Sequence, residues 1–252
     1  MRVRLILLSA VLISLLIAEW LHLNSLEGRL LRADPNTVSS NITLMKFAYP
    51  RGKRLYDSNC ATCHADRGQG DITRGIPNLS DSDWLYGTGS VSDIGQVIRY
   101  GIRSYNPKAW NLASMPAYAT PRPSPTDPKI PPLSPGNIRD LVEFLFHAQG
   151  QEADAAAAAR GGALFVGAAG CYDCHATDAK GDPAIGAPNL TDRITLYDDG
   201  SRQALTLSIE YGRHGVCPAW VTRIRPAGIR EIALFVYTLA HPAVPSKVSS
   251  GD

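Results

Sequence analysis

Two five-residue stretches of this chain, CATCH (60–64) and CYDCH (171–175), have the residue types and spacing to hold a metal-bearing group. Each sets two cysteines three positions apart, with a histidine directly after the second. If the backbone makes one helical turn there, the sulfurs lie close together and the histidine projects beside them. Both sulfurs can then form thioethers with the vinyl groups of one haem while the histidine ligates its iron. Cys60 and Cys63 with His64, and Cys171 and Cys174 with His175, therefore imply two covalently bound haem c groups. Other chemistries fit less well. A zinc ribbon needs its cysteine pairs much closer than the 107 residues that separate these. A thioredoxin-like redox pair expects a βαβ frame. A structural disulfide is disfavoured by so short a loop and by the histidine that follows both times.

The elements that must position these residues come in two copies. CATCHADRGQGDITRGIPNLSDSDWLY (60–86) aligns without a gap on CYDCHATDAKGDPAIGAPNLTDRITLY (171–197), and YGIR (100–103) falls on YGRH (211–214) at the same offset of 111. Upstream, RGKRLY (51–56) matches RGGALF (160–165); downstream, SMPAY (114–118) matches VCPAW (216–220). A period of roughly 100 residues is too long for a solenoid unit and suits a duplicated domain. Ile138, Leu141, Val142, Leu145 and Phe146 recur on one helical face, behind Ser134-Pro135, a pair suited to a helix start. Ile229, Ile232, Ala233 and Val236 repeat that face in the second copy, which ends at His241-Pro242. DAAAAARGGALF (154–165) is rich in helix formers and opens the second copy. PRPSPTDPKIPP (121–132) suits neither regular helix nor central strand. With no alternating strand pattern, the expected fold is mostly α. Its expected divisions are 1–24, 25–45 as a linker, one domain over 46–149, a second over 150–242, and a tail over 243–252.

The chain has 252 residues and a formal charge of +2, too small to imply a nucleic-acid partner. Its 22 Gly and 18 Pro point to many turns without reaching a disordered composition. MRVR is a basic start, and an apolar run over 5–23 follows, interrupted by Glu19 and His22. As a helix that run spans roughly 28 Å, close to the hydrocarbon thickness of a bilayer. A cleaved signal peptide shares the basic start but needs a small-x-small cleavage site, and LIAEWLHLNSL offers none that is convincing. Trp20 and His22 suit the edge of a membrane. An uncleaved anchor is expected, and either reading sends the remainder out of the cytoplasm.

Each copy resembles a class I cytochrome c domain. Through GIPNLSDSDWLYG and GAPNLTD, the pair is similar to the diheme subunit III of cbb3-type cytochrome c oxidases, over residues 46–241. The resemblance implies two tandem class I cytochrome c domains after an N-terminal membrane helix. In each, the first and last helices cross, with Gly52 and Gly161 approaching Phe144 and Phe235. It implies that Pro77 and Pro188 offer their carbonyls to His64 and His175, a bond that orients the imidazole and raises its basicity. The family completes the iron with a methionine followed by proline. Met115-Pro116 stands at that place in the first copy, so His64 and Met115 are expected on the first haem, a core methionine being the plain alternative. The second copy contains no methionine, and Cys217-Pro218 takes the position. Cys217 is therefore expected beside His175 on the second haem. His214 is the rival ligand, and a free thiol near a five-coordinate iron is a third reading. A thiolate stabilises ferric iron whereas methionine raises the potential, which makes the second haem the lower of the two.

These expectations describe a membrane-anchored diheme electron carrier of the bacterial inner membrane, with its cytochrome domains in the periplasm. It would pass electrons from a respiratory donor to a terminal oxidase or another redox protein. The acidic, tryptophan-rich stretch that precedes the anchor in oxidase subunit III has no counterpart before residue 5, so a free-standing membrane cytochrome of the same lineage fits equally. An enzyme that oxidises thiosulfate or reduces peroxide also fits a cysteine-ligated haem, although no acid–base pair stands out near CYDCH or GVCPAW. A redox sensor in which Cys217 detaches on reduction is the remaining class.

Overall fold

The computed structural model describes residues 11–18, 20–21, 25–119, 132–197 and 199–242. His22, the first ten residues, residues 243–252 and nearly all of the Pro-rich segment 121–132 lie outside that set. Residues 11–18 are helical, with Val11, Leu12, Ile13, Leu15, Leu16 and Ile17 exposed. No helix among the described residues is long and apolar enough to cross a membrane.

The remaining helices are α1 (Leu26–Arg32), α2 (Ile42–Asn59), α3 (Ala61–His64), α4 (Val91–Tyr100), α5 (Pro135–Ala148), α6 (Ala155–Phe165), α7 (Tyr172–His175), α8 (Arg202–Tyr211) and α9 (Pro226–Ala240). Among the described residues the only β pairings are isolated bridges. Helix starts are set locally. Ser134 Oγ accepts from the Asn137 N–H with Pro135 at the first helical position, and Ser90, Asp154 and Ser201 cap α4, α6 and α8 in the same way.

The expected apolar faces of α5 and α9 are buried, with Leu141 at 2% and Ile232 at 0% exposure. What those faces meet differs from the expectation. Helix α9, from the end of the second copy, lies along α2, from the start of the first, with α1 and α4 beside them. Helix α5 packs on α6, and α8 joins that second core. Each core thus takes its opening helix from one copy and its closing helix from the other.

Gly52 sits against the backbone of Glu231 and the Cβ of Phe235, while Gly161 sits against the backbone of Asp140 and the Cβ of Phe144. The crossings expected as Gly52 with Phe144 and Gly161 with Phe235 are exchanged. The physical reason is the connection. Only residues 149–154 link α5 to α6, short enough for the two helices to fold back on each other. With α5 committed to α6, α9 fills the place left on α2. A boundary at Gly150 divides the repeat in sequence but not the packing.

Candidate functional site

Helices α3 and α7 make the single turn that the cysteine spacing needs. The Cys63 and His64 N–H groups donate to the Cys60 carbonyl at 3.1 and 2.9 Å, and those of Cys174 and His175 to the Cys171 carbonyl at 3.3 and 3.0 Å. Nδ1 of His64 lies 3.3 Å from the Pro77 carbonyl oxygen, and Nδ1 of His175 lies 3.0 Å from that of Pro188. A carbonyl only accepts, so Nδ1 carries the proton in both rings and the Nε2 lone pair is left for a metal. Burial holds both imidazoles below their usual range, with the proline bond opposing it.

After each histidine the chain turns sharply. Ala65 has φ 61 and ψ 169, and Ala176 has φ 59 and ψ 166, a region that costs a side-chain-bearing residue about 1–3 kcal/mol. The turn presents the His64 and His175 carbonyls to the N–H groups of Gly70 and Gly181, at 3.0 and 2.9 Å. Both glycines have positive φ, and a Cβ on either would overlap the carbonyl of Pro77 or Pro188. The G-D shared by the repeats therefore belongs to the site. The alignment displayed that pair without revealing what it supports.

Burial, with Cys217 and Cys63 adding, pushes the Cys60 thiol up to about 12, and burial pushes Cys171 up to about 11. All five cysteines are unbridged, and among the described residues no three His, Cys, Asp or Glu side chains gather into a metal-holding group.

The segments carrying Met115 and Cys217 lie with the motif of the other copy. Met115 packs in the second core with Cys171 and Leu190, and Tyr118 hydrogen-bonds the Cys171 sulfur. Cys217 stands close enough to Cys60 and Cys63 to interact with both electrostatically, and Trp220, the counterpart of Tyr118, packs in the first core with Cys60. Burial, with Cys63 adding, pushes the Cys217 thiol up to about 11.

Backbone bonds fix these positions. Tyr118 and Ala119 donate to the carbonyls of Ile209 and Glu210 in α8, at 3.0 and 3.1 Å, while Trp220 and Val221 donate to Ile98 and Arg99 in α4, both at 3.1 Å. The two segments also cross each other. Ile102 and Cys217 exchange backbone bonds of 2.9 and 3.0 Å, and Met115 and Arg213 exchange bonds of 3.0 and 3.2 Å. Gly101 and Gly212 leave room for the passing chain, since a Cβ on either would overlap the Cys217 or Met115 carbonyl. The segments of Met115 and Cys217, expected beside the motif of their own copy, thus lie toward that of the other, through the same crossing that exchanges the helices. His214, the rival ligand, is exposed.

Aromatic side chains cross over as well. Tyr86 of the first copy lies against Gly186 in the loop of the second motif, and Tyr197 lies against Gly75 in the loop of the first. The Arg213 guanidinium sits 4.1 Å from the Tyr197 ring centre, and that of Arg103 sits 5.9 Å from the Tyr86 ring centre. Tyr86 Oη is buried, with the Arg103 guanidinium as its polar neighbour. An arginine can only donate to that oxygen, so the hydroxyl's own proton is left for an acceptor, which the carboxylates of a haem would supply. The residues present fit a haem at each motif.

The cytochrome c family model matches residues 49–149. Over longer spans the chain is similar to the cbb3-type cytochrome c oxidase subunit CcoP of Rhodobacter capsulatus, 36% identical over 232 residues, 88% of this chain and 73% of the relative. It is 33% identical to CcoP of Cereibacter sphaeroides over 215 residues, 85% of this chain and 69% of the relative. It is 38% identical to the FixP subunit of a Bradyrhizobium species over 207 residues, 80% of this chain and 64% of the relative.

Proposed function

The chain belongs to the CcoP and FixP family of cbb3-type cytochrome c oxidase subunits, and from that membership we propose a membrane-anchored periplasmic electron carrier of such an oxidase, with two haems whose sixth ligands are exchanged between the copies. When bound, each haem supplies one-electron exchange at its iron. Cys60 and Cys63 would hold the first, with His64 and Cys217 as the side chains offered to its iron. Cys171 and Cys174 would hold the second, with His175 and Met115. What supports this reading is the backbone that ties the Cys217 segment to α4 and the Met115 segment to α8, with Cys217 in electrostatic reach of Cys60 and Cys63 and Met115 on the same core as Cys171.

A thiolate donor favours the oxidised state and a thioether sulfur the reduced one. The first site therefore has the lower potential, the reverse of the order expected from the repeat alone. Tyr86 Oη would donate to a haem carboxylate. The apolar run over 5–23 anchors the chain in the inner membrane; its exposed side chains at 11–17 are not covered by either core.

Low-temperature electron paramagnetic resonance of the oxidised, haem-loaded protein tests the pairing. A low-spin thiolate signal is expected, lost in Cys217→Ala. In a chain with Cys60→Ser and Cys63→Ser together, that signal should also vanish while the methionine-to-iron charge-transfer band persists. A thiolate signal that survives the paired serine substitutions would restore the unexchanged arrangement.

A further inference from the structure

Resting on that ligand reading, we propose that Arg103 is a positioning residue shared by both sixth ligands. Its Nε donates to the Gly215 carbonyl at 2.7 Å and its Nη1 to the Ala113 carbonyl at 2.8 Å. Gly215 lies two residues before Cys217, and Ala113 lies two residues before Met115. One rigid guanidinium therefore grips both ligand segments at equivalent points, and a planar fork is the side chain suited to holding two acceptors at a fixed separation.

The backbone around Arg103 is committed to this placement. Arg103 has φ 46, left-handed for a residue with a side chain, and its N–H donates to the Trp110 carbonyl at 2.9 Å. Its neighbour Ile102 makes the paired backbone bonds to Cys217. Arg103 thus stands where the two segments cross, so a change in its grip reaches both sites together. Its counterpart in the second copy is His214, which is exposed. Among the described residues the device exists once, on one side of the repeat.

Imidazole, which displaces a weakly held sixth ligand from ferric haem, measures the grip on each segment. In the haem-loaded full chain, loss of the methionine charge-transfer band reports the Met115 site, and loss of the thiolate resonance reports the Cys217 site. In Arg103→Ala, imidazole affinity is expected to rise at both sites by about tenfold or more, the scale of losing a charge-assisted hydrogen bond from each segment. Added guanidinium should reverse both changes in parallel, a rescue that general destabilisation does not give. Should Arg103→Ala fail to load haem, Arg103→Lys is the second variant. It keeps the charge, but its single ammonium lacks the fork, and both affinities should still rise.

Affinities unchanged within twofold, or a change confined to one site, would overturn the inference. A parent protein lacking either signal would instead overturn the ligand assignment on which it rests.

Discussion

The carbonyls of Pro77 and Pro188 each meet two neighbours, the Nδ1–H of a histidine and the α-carbon of a glycine. Gly70 and Gly181 have φ 69 and 78, where a side chain costs about 1–2 kcal/mol before any contact is counted. An added Cβ would also push on the Pro77 or Pro188 carbonyl that orients His64 or His175. Gly70→Ala is therefore expected to lower the melting temperature and to shift the reduction potential of the first haem. The second haem should keep its potential, and Gly181→Ala should show the mirror result. Equal shifts at both haems in either variant would mean that the glycine acts through the fold and not through its own histidine. The single turn that sets each cysteine pair beside its histidine was legible because its spacing is local. The glycine's role was not, because it depends on a carbonyl that only the folded loop brings near.

Between helices, the two cores are stitched by carboxylates of opposite character. In the second, Glu143 of α5 accepts from Arg202 Nε at 2.6 Å and Nη2 at 3.1 Å, and from the N–H of Asp154, which caps α6, at 2.8 Å. Asp140 pairs with Arg160 at 2.7 Å. The guanidinium bonds hold both carboxyls below the usual range. In the first core Glu231 replaces Asp140, while Arg51, the counterpart of Arg160, lies over the Phe47 ring. Glu231 Oε1 is buried without a partner, and burial raises its pKa against the opposing charges of Arg51, Arg225 and Arg54, with Glu27 adding to the rise.

The signs follow from linkage. A depressed carboxyl contributes stability above its unfolded pKa of roughly 4 and loses it as pH falls through the folded value. A raised carboxyl penalises the folded state as pH rises from the unfolded value through the folded one, and the penalty is then full. At neutral pH, Glu143→Gln should cost about 1 kcal/mol, discounted because Arg202 is half exposed. Glu231→Gln should stabilise by about 1 kcal/mol. Both effects should fade as pH falls toward and below 4. Melting temperatures across pH check this, and the same sign for both variants at neutral pH would refute it. Helix faces and caps were legible here because periodicity and capping are local. The partners were not, because α5 and α9 present equivalent faces that fit either opening helix.

At the scale of the molecule, that ambiguity was resolved by loop length, a signal present in the sequence as the short connection 149–154. The outcome is that each half of the chain contributes to both cores, α2 and α4 with α9 in one, α5 with α6 and α8 in the other. Two tandem domains joined at this point would separate once the joint was cut; the interleaved arrangement should not. Gly150 is a suitable place to cut, being exposed, with nothing within 4 Å of where a Cβ would lie. A protease site inserted there and cleaved in the folded, haem-loaded protein should give two fragments that co-elute under native conditions. They should part only in denaturant, each bearing one covalently attached haem. The buried faces of α5 and α9 supply the cohesion, since pulling the fragments apart would expose Leu141, Val142, Ile232 and Phe235 at once, each worth roughly 1.5–3 kcal/mol of burial. Cleaved fragments that elute separately without denaturant would show that the two cores are closed within their own halves.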